Sequence, residues 1–224
     1  MVIQLYHNRI SPPSRAVLMV LNELGLEFEI KDVDLFAGEQ HNPEYKKIHP
    51  RSKVPALVDG SITVCESRAI ASYLCNKYGK SRNDLLYPSD ADERAKVDMM
   101  LYAEEWMQDT LFGYLNLGGV FRRGEAPAYG KDTQVKECLT YLENMLKKYK
   151  YVAADNLTIA DFFTYCDVLF LDFLDYDLKE FPAIKAWMGK MKSLSYTGKI
   201  NDDGMKMGKA AYTAKLNELQ KTGK

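Results

Sequence analysis

Long apolar runs are missing from this chain. No stretch approaches the ~20 apolar residues that a membrane-spanning helix needs. The most apolar run, VLFLDFL at 168–174, is short and carries Asp172. No membrane association is therefore expected. The opening MVIQLYHNRI lacks the basic region and apolar core of a secretory signal, so none is expected there. Charge of one sign is missing too. Thirty Lys and Arg stand against 31 Asp and Glu, net -1, with both signs mixed along the chain. That leaves no broad electrostatic footprint for a nucleic-acid partner or an anionic surface. Cysteine is scarce: Cys65, Cys75, Cys138 and Cys166 are scattered, without a CxxC pair. A reduced, cytoplasmic compartment fits better than a disulfide framework, with the thiols as small packing groups. The three histidines, His7, His41 and His49, lack a metal-ligand spacing, so no metal site is expected. Repeats and low-complexity tracts are absent.

What is present is a chain of 224 residues, 46% of them apolar, enough to bury a core in one or two domains. Residues 2–6 read as a strand. Residues 13–24 place Val17, Val20, Leu21 and Leu24 on one helical face, with Gly25 as a stop. Residues 27–35 alternate as a second strand, which favours a parallel β-α-β unit. A polar stretch with a short helix around NPEYKKI follows. VPALVDGSITVCES reads as a hairpin about Asp59-Gly60, and SRAIASYLCNKYG as a helix. The polar, turn-rich segment 79–91 reads as a linker. Beyond it four helical patterns appear, over 90–115, 131–150, 158–174 and 181–194. The Lys-rich end from Lys206 is open between a final helix and a loose tail. Thr158 and Asp161 have the spacing of a capping box, with Leu157 and Phe162 as a hydrophobic staple. This is a local stability device and carries no chemistry.

The corner LYHNRISPPSRAV is more informative. Pro12 and Pro13 cannot donate backbone hydrogen bonds, a harmless loss in the first turn of a helix, which makes Ser11 the N-cap. Two readings stay open. The hydroxyl caps its own helix, as serines often do. Alternatively it points at a ligand, where a helix N-terminus already favours an anion or thiolate. Two further places bear on the choice. Pro55, after Val54 at the start of a hairpin strand, suits a cis bond that leaves the Val54 backbone free to pair with an extended peptide; a plain edge-strand proline is the alternative. Glu66-Ser67-Arg68 opens the next helix, where Ser67 can present a hydroxyl and an N–H to a carboxylate and Glu66 can hold an ammonium; a capped helix with surface charges is the alternative. Together these groups suit a small molecule with a carboxylate, an ammonium, a peptide backbone and a thiol. Glutathione is such a molecule.

On these motifs the chain resembles the cytosolic glutathione S-transferases over essentially its whole length. The matching stretches are Ser-x-Pro-x-Arg (Ser11, Pro13, Arg15), Lys-Val-Pro-Ala-Leu (53–57), Glu-Ser-Arg-Ala-Ile (66–70) and the Thr-x-x-Asp box (158–161). SPPSRAV with LFAGEQHNPEY looks most like the delta and epsilon classes, theta next. The resemblance implies a thioredoxin-like α/β domain over 1–80, a linker at 81–91 and an all-α domain over 92–224, paired as a homodimer. It implies glutathione as co-substrate and no other cofactor. It assigns Ser11 to the sulfur, Val54 beside cis-Pro55 to the cysteinyl backbone, and Glu66, Ser67 and Arg68 to the γ-glutamyl end. His41 and Lys53 fall to the glycine carboxylate. Delta and epsilon members often carry QHTxP where this chain has RSKVP; Ser52 stands at that histidine, and Lys53 takes over its role.

The implied activity is transfer of the glutathione thiolate to hydrophobic electrophiles, with peroxidase activity as a side reaction. Arg15 either adds positive field or pairs with an acid. Tyr102, Trp106, Asp109 and Phe112, with GYLNLGGVF after them, are expected to wall the second substrate; domain core or dimer surface is the alternative. The rival reading is a non-catalytic ligand-binding or structural protein of this fold. Thiol chemistry at the corner is disfavoured because it holds serines and no cysteine.

Overall fold

The structure, a computed structural model, describes residues 2–79, 83–127 and 132–221. Parts of the expected linker (80–82), residues 128–131 with the first residue of the 131–150 pattern, and the last of the Lys-rich end (222–224) lie outside the described residues. Strand β1 (Ile3–His7) buries Ile3, Leu5 and His7 in alternation. Its chain turns at Ser11 into α1 (Pro12–Glu23), which ends before Gly25 at φ +63, where a residue without Cβ meets no steric objection. Strand β2 (Phe28–Asp32) pairs parallel with β1. A 3-10 turn (Glu39–His41) leads into α2 (Pro43–Ile48). The hairpin follows as β3 (Ala56–Asp59) and β4 (Ile62–Cys65), with Gly60 at φ +64 in its turn. The sheet order is β2-β1-β3-β4. Helix α3 (Ser67–Tyr78) leaves β4 directly and packs with α1.

The remaining elements are helical. Helix α4 (Asn83–Leu86) is a single turn inside the segment read as a linker. Helix α5 (Ala91–Leu115) starts at Asp90, whose carboxylate accepts from the Asp92 and Glu93 amides, as acids at a helix start should. A π-helical turn (Gly119–Arg123) and α6 (Asp132–Lys148) follow. Helix α7 (Ile159–Val168) is buried along its whole length and packs against both α1 and α5. The two-part arrangement is thus a mixed sheet with helices, then a helical bundle, with α7 at their junction. The capping box forms as the sequence predicts: the Thr158 amide donates to Asp161 Oδ2 at 2.9 Å.

One expectation needs correction, and one left open is decided for a helix. The pattern over 158–174 is one helix in sequence, but α-geometry stops at Val168 and a 3-10 segment runs Leu169–Leu174. In 3-10 geometry side chains three apart eclipse, and here Phe170 and Phe173 stack with centroids 4.7 Å apart. All of this run except Asp172 is large and apolar, and Phe170, Leu171 and Phe173 are buried. The Lys-rich end is a helix: after α8 (Pro182–Lys192), α9 runs Thr197–Lys221. The buried Glu143 on α6 accepts from the Ala183 and Ile184 amides, so a distant carboxylate caps α8.

Candidate functional site

Register brings the three sequence motifs to one end of the sheet. Tyr6 lies opposite Ala56, and Ala56 opposite Cys65. The corner after β1, the residues before β3 and those after β4 therefore meet at the same edge. The corner itself is a tight turn: Asn8 Oδ1 accepts from the Ile10 amide at 3.0 Å, and the Asn8 carbonyl accepts from the Ser11 amide at 3.1 Å. Ser11 is the N-cap of α1, and its Oγ accepts from the Ser14 amide at 3.4 Å, a long bond. A hydroxyl that accepts still has its proton to donate. Capping therefore leaves the Ser11 proton available to a second group. Behind it, Ser14 is fully buried and Tyr6 leans on Tyr45 with centroids 5.8 Å apart. Burial holds His7 neutral, its pKa lowered to about 4.

Val54-Pro55 is the cis peptide bond of the described residues, as the sequence predicts. Val54 precedes the ladder, which begins at Ala56. The loop that presents it is held by Tyr45 on α2, whose hydroxyl donates to the Lys53 carbonyl at 2.5 Å. Sequence reasoning overlooked Tyr45; its only signal was a large aromatic on a short polar helix. Lys53 and His41 are both exposed.

Glu66 sits at φ 67, left-handed geometry that a non-glycine residue rarely adopts, and it caps α3. Such outliers cluster at ligand clamps. Its carboxylate pairs with Arg51 at 2.6 Å, a partner the sequence did not suggest. Ser67 is buried at the first position of α3, where backbone amides lack helical acceptors. Arg68 turns elsewhere: its Nε donates to the buried Glu104 on α5 at 2.7 Å, and its guanidinium lies near the Phe163 ring. Its charge is committed to the junction with α5. Asp167 adjoins Glu104, and burial with that neighbouring carboxylate raises its pKa well above the ordinary range. Arg15, the other cation of the corner, forms no ion pair with an acid among the described residues. It is fully buried, donating to Asn201 Oδ1 at 2.7 Å and to the Cys166 carbonyl at 3.3 Å.

The four residues expected around the second substrate separate. Phe112 packs on Phe170 with centroids 5.4 Å apart, and the Arg15 guanidinium lies 5.5 Å from the same Phe170 ring, which ties Phe112 to the corner. Trp106 and Asp109 face another way, lining a hollow of about 300 Å³ with Gln134 and Glu137 of α6. Tyr102 is 76% exposed. The reason is helical phase: at about 100° per residue, positions 102, 106 and 109 share one side of α5, and 112 is turned away from 106 by about 120°. Phe121 closes the GYLNLGGVF stretch expected beside Phe112, and its two aromatic neighbours, Phe36 and Tyr212, are residues the sequence reading did not name. Phe121 meets Tyr212 of α9, and Phe36, exposed on the loop after β2, reaches Phe121 with centroids 5.9 Å apart. The buried thiols of Cys75, Cys138 and Cys166 are pushed up to about 12 by desolvation, far from nucleophile range. Among the described residues no His, Cys, Asp and Glu group has the arrangement of a metal site.

A sheet of this order with a serine corner, a cis-proline just before β3 and a helix start just after β4 at one end, joined to a helical bundle, is a fold of the glutathione-transferase kind. Residues 1–76 match the family model described as "Glutathione S-transferase, N-terminal domain", and 107–194 match "Glutathione S-transferase, C-terminal domain". A glutathione S-transferase of Drosophila melanogaster is 33% identical over 208 residues, covering 92% of each chain. An epsilon-class glutathione S-transferase structure from the housefly, Musca domestica, superposes with a TM-score of 0.88 at 37% identity, covering 95% of this chain and 98% of its own. A glutathione transferase homolog from Drosophila mojavensis with bound glutathione gives 0.86 at 32% identity, covering 96% and 97%. The chain belongs to the glutathione S-transferase family.

Proposed function

We propose that this transferase joins the thiolate of glutathione to hydrophobic electrophiles at the corner of α1, with Ser11 as the sulfur's hydrogen-bond donor. A free thiol titrates near 8.5, so little is ionised at neutral pH. The Ser11 proton and the amino end of α1 lower that value by favouring the anion. The thiolate attacks an electrophilic carbon; a carbon–sulfur bond forms, the leaving group departs with its electron pair, and the thiol proton goes to solvent. The observation that supports the reading best is the register that gathers Ser11, Val54 and Ser67 at one sheet edge. Val54 pairs with the cysteinyl backbone. Glu66 takes the α-ammonium, and Ser67 the adjacent carboxylate. Lys53 and His41 serve the glycine end. Arg68 acts from behind, as a prop for the start of α3. Phe112 belongs to the acceptor wall; Trp106, Asp109 and Tyr102 do not. Retention on immobilised glutathione, followed by conjugation of a chloronitrobenzene, tests the reading. Binding without conjugation would favour the ligand carrier.

Arg51 and Glu66 offer opposite charges to a γ-glutamyl end that is itself a zwitterion. Arg51→Gln is expected to raise KM for glutathione about fivefold with kcat held, because binding common to ground and transition states is lost. Both side chains of the pair are more than half exposed, so thermal stability should not move.

The partner face is read as a second copy of the chain. Met99, Tyr102 and Trp106 are 47%, 76% and 46% exposed, spaced three and four apart along α5, and Ile62 is exposed on the edge strand β4. Such a row on one helix suits an isologous contact. Tyr102→Glu is expected to shift the molecular mass by light scattering toward the monomer; an unchanged mass would remove α5 from the interface.

A further inference from the structure

We propose that α9 is a positioning element for the sulfur-binding corner, seated on it through Gly204 and Gly208, and that this seat sets how strongly the corner holds the thiolate. The proposal rests on residue 11 as the sulfur's partner.

Two glycines four apart inside a long helix call for a reason, since glycine is the poorest helix former after proline. The reason is contact with the corner. A Cβ at position 204 would lie 2.1 Å from the carbonyl oxygen of Arg9 and 2.9 Å from its carbonyl carbon. Backbone cannot swing aside as a side chain can. A Cβ at position 208 would lie 2.7 Å from Phe173 Cζ and 3.2 Å from Ile10 Cγ2. One turn earlier, Asn201 accepts from Arg15 at 2.7 Å, a buried bond. Positions 201, 204 and 208 share one helical face. Their partners stand on both sides of Ser11: Arg9 and Ile10 just before it, Arg15 one turn after it. A single face of α9 therefore brackets the N-cap. Not every helical glycine here is so used, for a Cβ at Gly189 on α8 would meet nothing within 4 Å. Because the Ser11 amide is bonded to the Asn8 carbonyl, any push on Arg9 moves the hydroxyl.

Several charged groups face this corner. His7 on β1 stands with Asp32 on β2 and Arg9 in the turn, and Arg15 on α1 with Cys166 and Asp167 on α7. Asp202 on α9 reaches Tyr165 on α7. Any of these can shape a kinetic profile, so the test reads the sulfur itself.

The experiment is Gly204→Ala, with the ultraviolet absorbance of the thiolate titrated in the enzyme–glutathione complex. The thiol pKa is expected to rise by about one unit, roughly a tenfold smaller thiolate to thiol ratio at a given pH. kcat should fall with it at neutral pH. KM for glutathione should hold, since its other proposed contacts lie at His41, in the loop before β3 and at the start of α3. Gly189→Ala should leave the titration unchanged. A lower melting temperature with an unchanged thiol pKa would make the seat merely structural and overturn the proposal. Should Gly204→Ala not fold, Gly208→Ala, which presses on side chains only, is expected to raise the thiol pKa by less; no rise overturns the proposal equally. Ser11→Ala separates the two levels. If it leaves the thiol pKa unchanged, the assignment of residue 11 fails; if it raises the pKa and the glycine variants do not, only the role of α9 fails.

Discussion

Ser11→Ala is expected to lose about a hundredfold in turnover while costing the fold little. The rate loss corresponds to about 3 kcal/mol of barrier, the scale of one removed hydrogen-bond donor at a developing or held anion. The stability loss is that of a helix cap, about 1 kcal/mol, and the 3.4 Å bond to the Ser14 amide places it at the weak end. For a chain of this size that is a melting shift of roughly 2–4 °C. Ser11→Thr, which keeps a hydroxyl on the same carbon, should restore both in large part. In the proposed role the two effects separate, because Oγ accepts from the helix with a lone pair while its proton would donate to the sulfur. Full turnover in Ser11→Ala with the melting shift present would leave the residue as a cap alone. Ser14 and Tyr6 are poor replacements, the first being fully buried and the second stacked on Tyr45.

Asp161→Ala should produce the largest loss of stability. Four donors converge on this carboxylate, each at 2.9 Å: the Thr158 amide and hydroxyl, the Val152 amide and the Trp187 indole. All lie in the core beside α7. Truncation leaves these donors without an acceptor, each costing about 1–3 kcal/mol. Relief of a desolvated charge offsets part of the sum. A net loss of about 3–5 kcal/mol is expected, roughly a 10 °C drop in melting temperature. Burial pushes the Asp161 pKa up to about 6, with the four donors opposing. The folded state thus takes up this proton more readily than the unfolded chain. Its contribution is fully present below the ordinary aspartate range and declines as pH rises through about 6. The gap between wild type and Asp161→Ala should be wider near about pH 5 than near about pH 8 by thermal melts. An equal or reversed gap would refute that sign.

Much of the site could be read in the sequence because its geometry is local. Two prolines after a serine fix a helix start, Asp59-Gly60 fixes a hairpin, and Thr158 with Asp161 fixes a box, each within four residues. The helix over 158–174 shows the limit. Apolar spacing marks a buried segment, but the change to 3-10 winding after Val168 depends on what Phe170 and Phe173 pack against. The same limit applies to α5. The sequence shows aromatics on a helix; whether Trp106 or Phe112 turns toward the corner depends on where α6 and the 3-10 segment after α7 lie.

By itself, then, the sequence determined the order of the sheet elements, the serine corner at the start of α1, the cis bond and the family, all consequences of backbone preferences and side-chain reach over a few residues. Only the tertiary structure decided that Arg68 serves Glu104, that Arg51 meets Glu66, and that Gly204 touches Arg9. Arg51 and Glu66 are 15 residues apart, and Arg15 and Asn201 are 186 apart. No local preference of the chain encodes such separations; they are selected only when close packing of the whole core leaves one arrangement without voids, clashes or stranded polar groups.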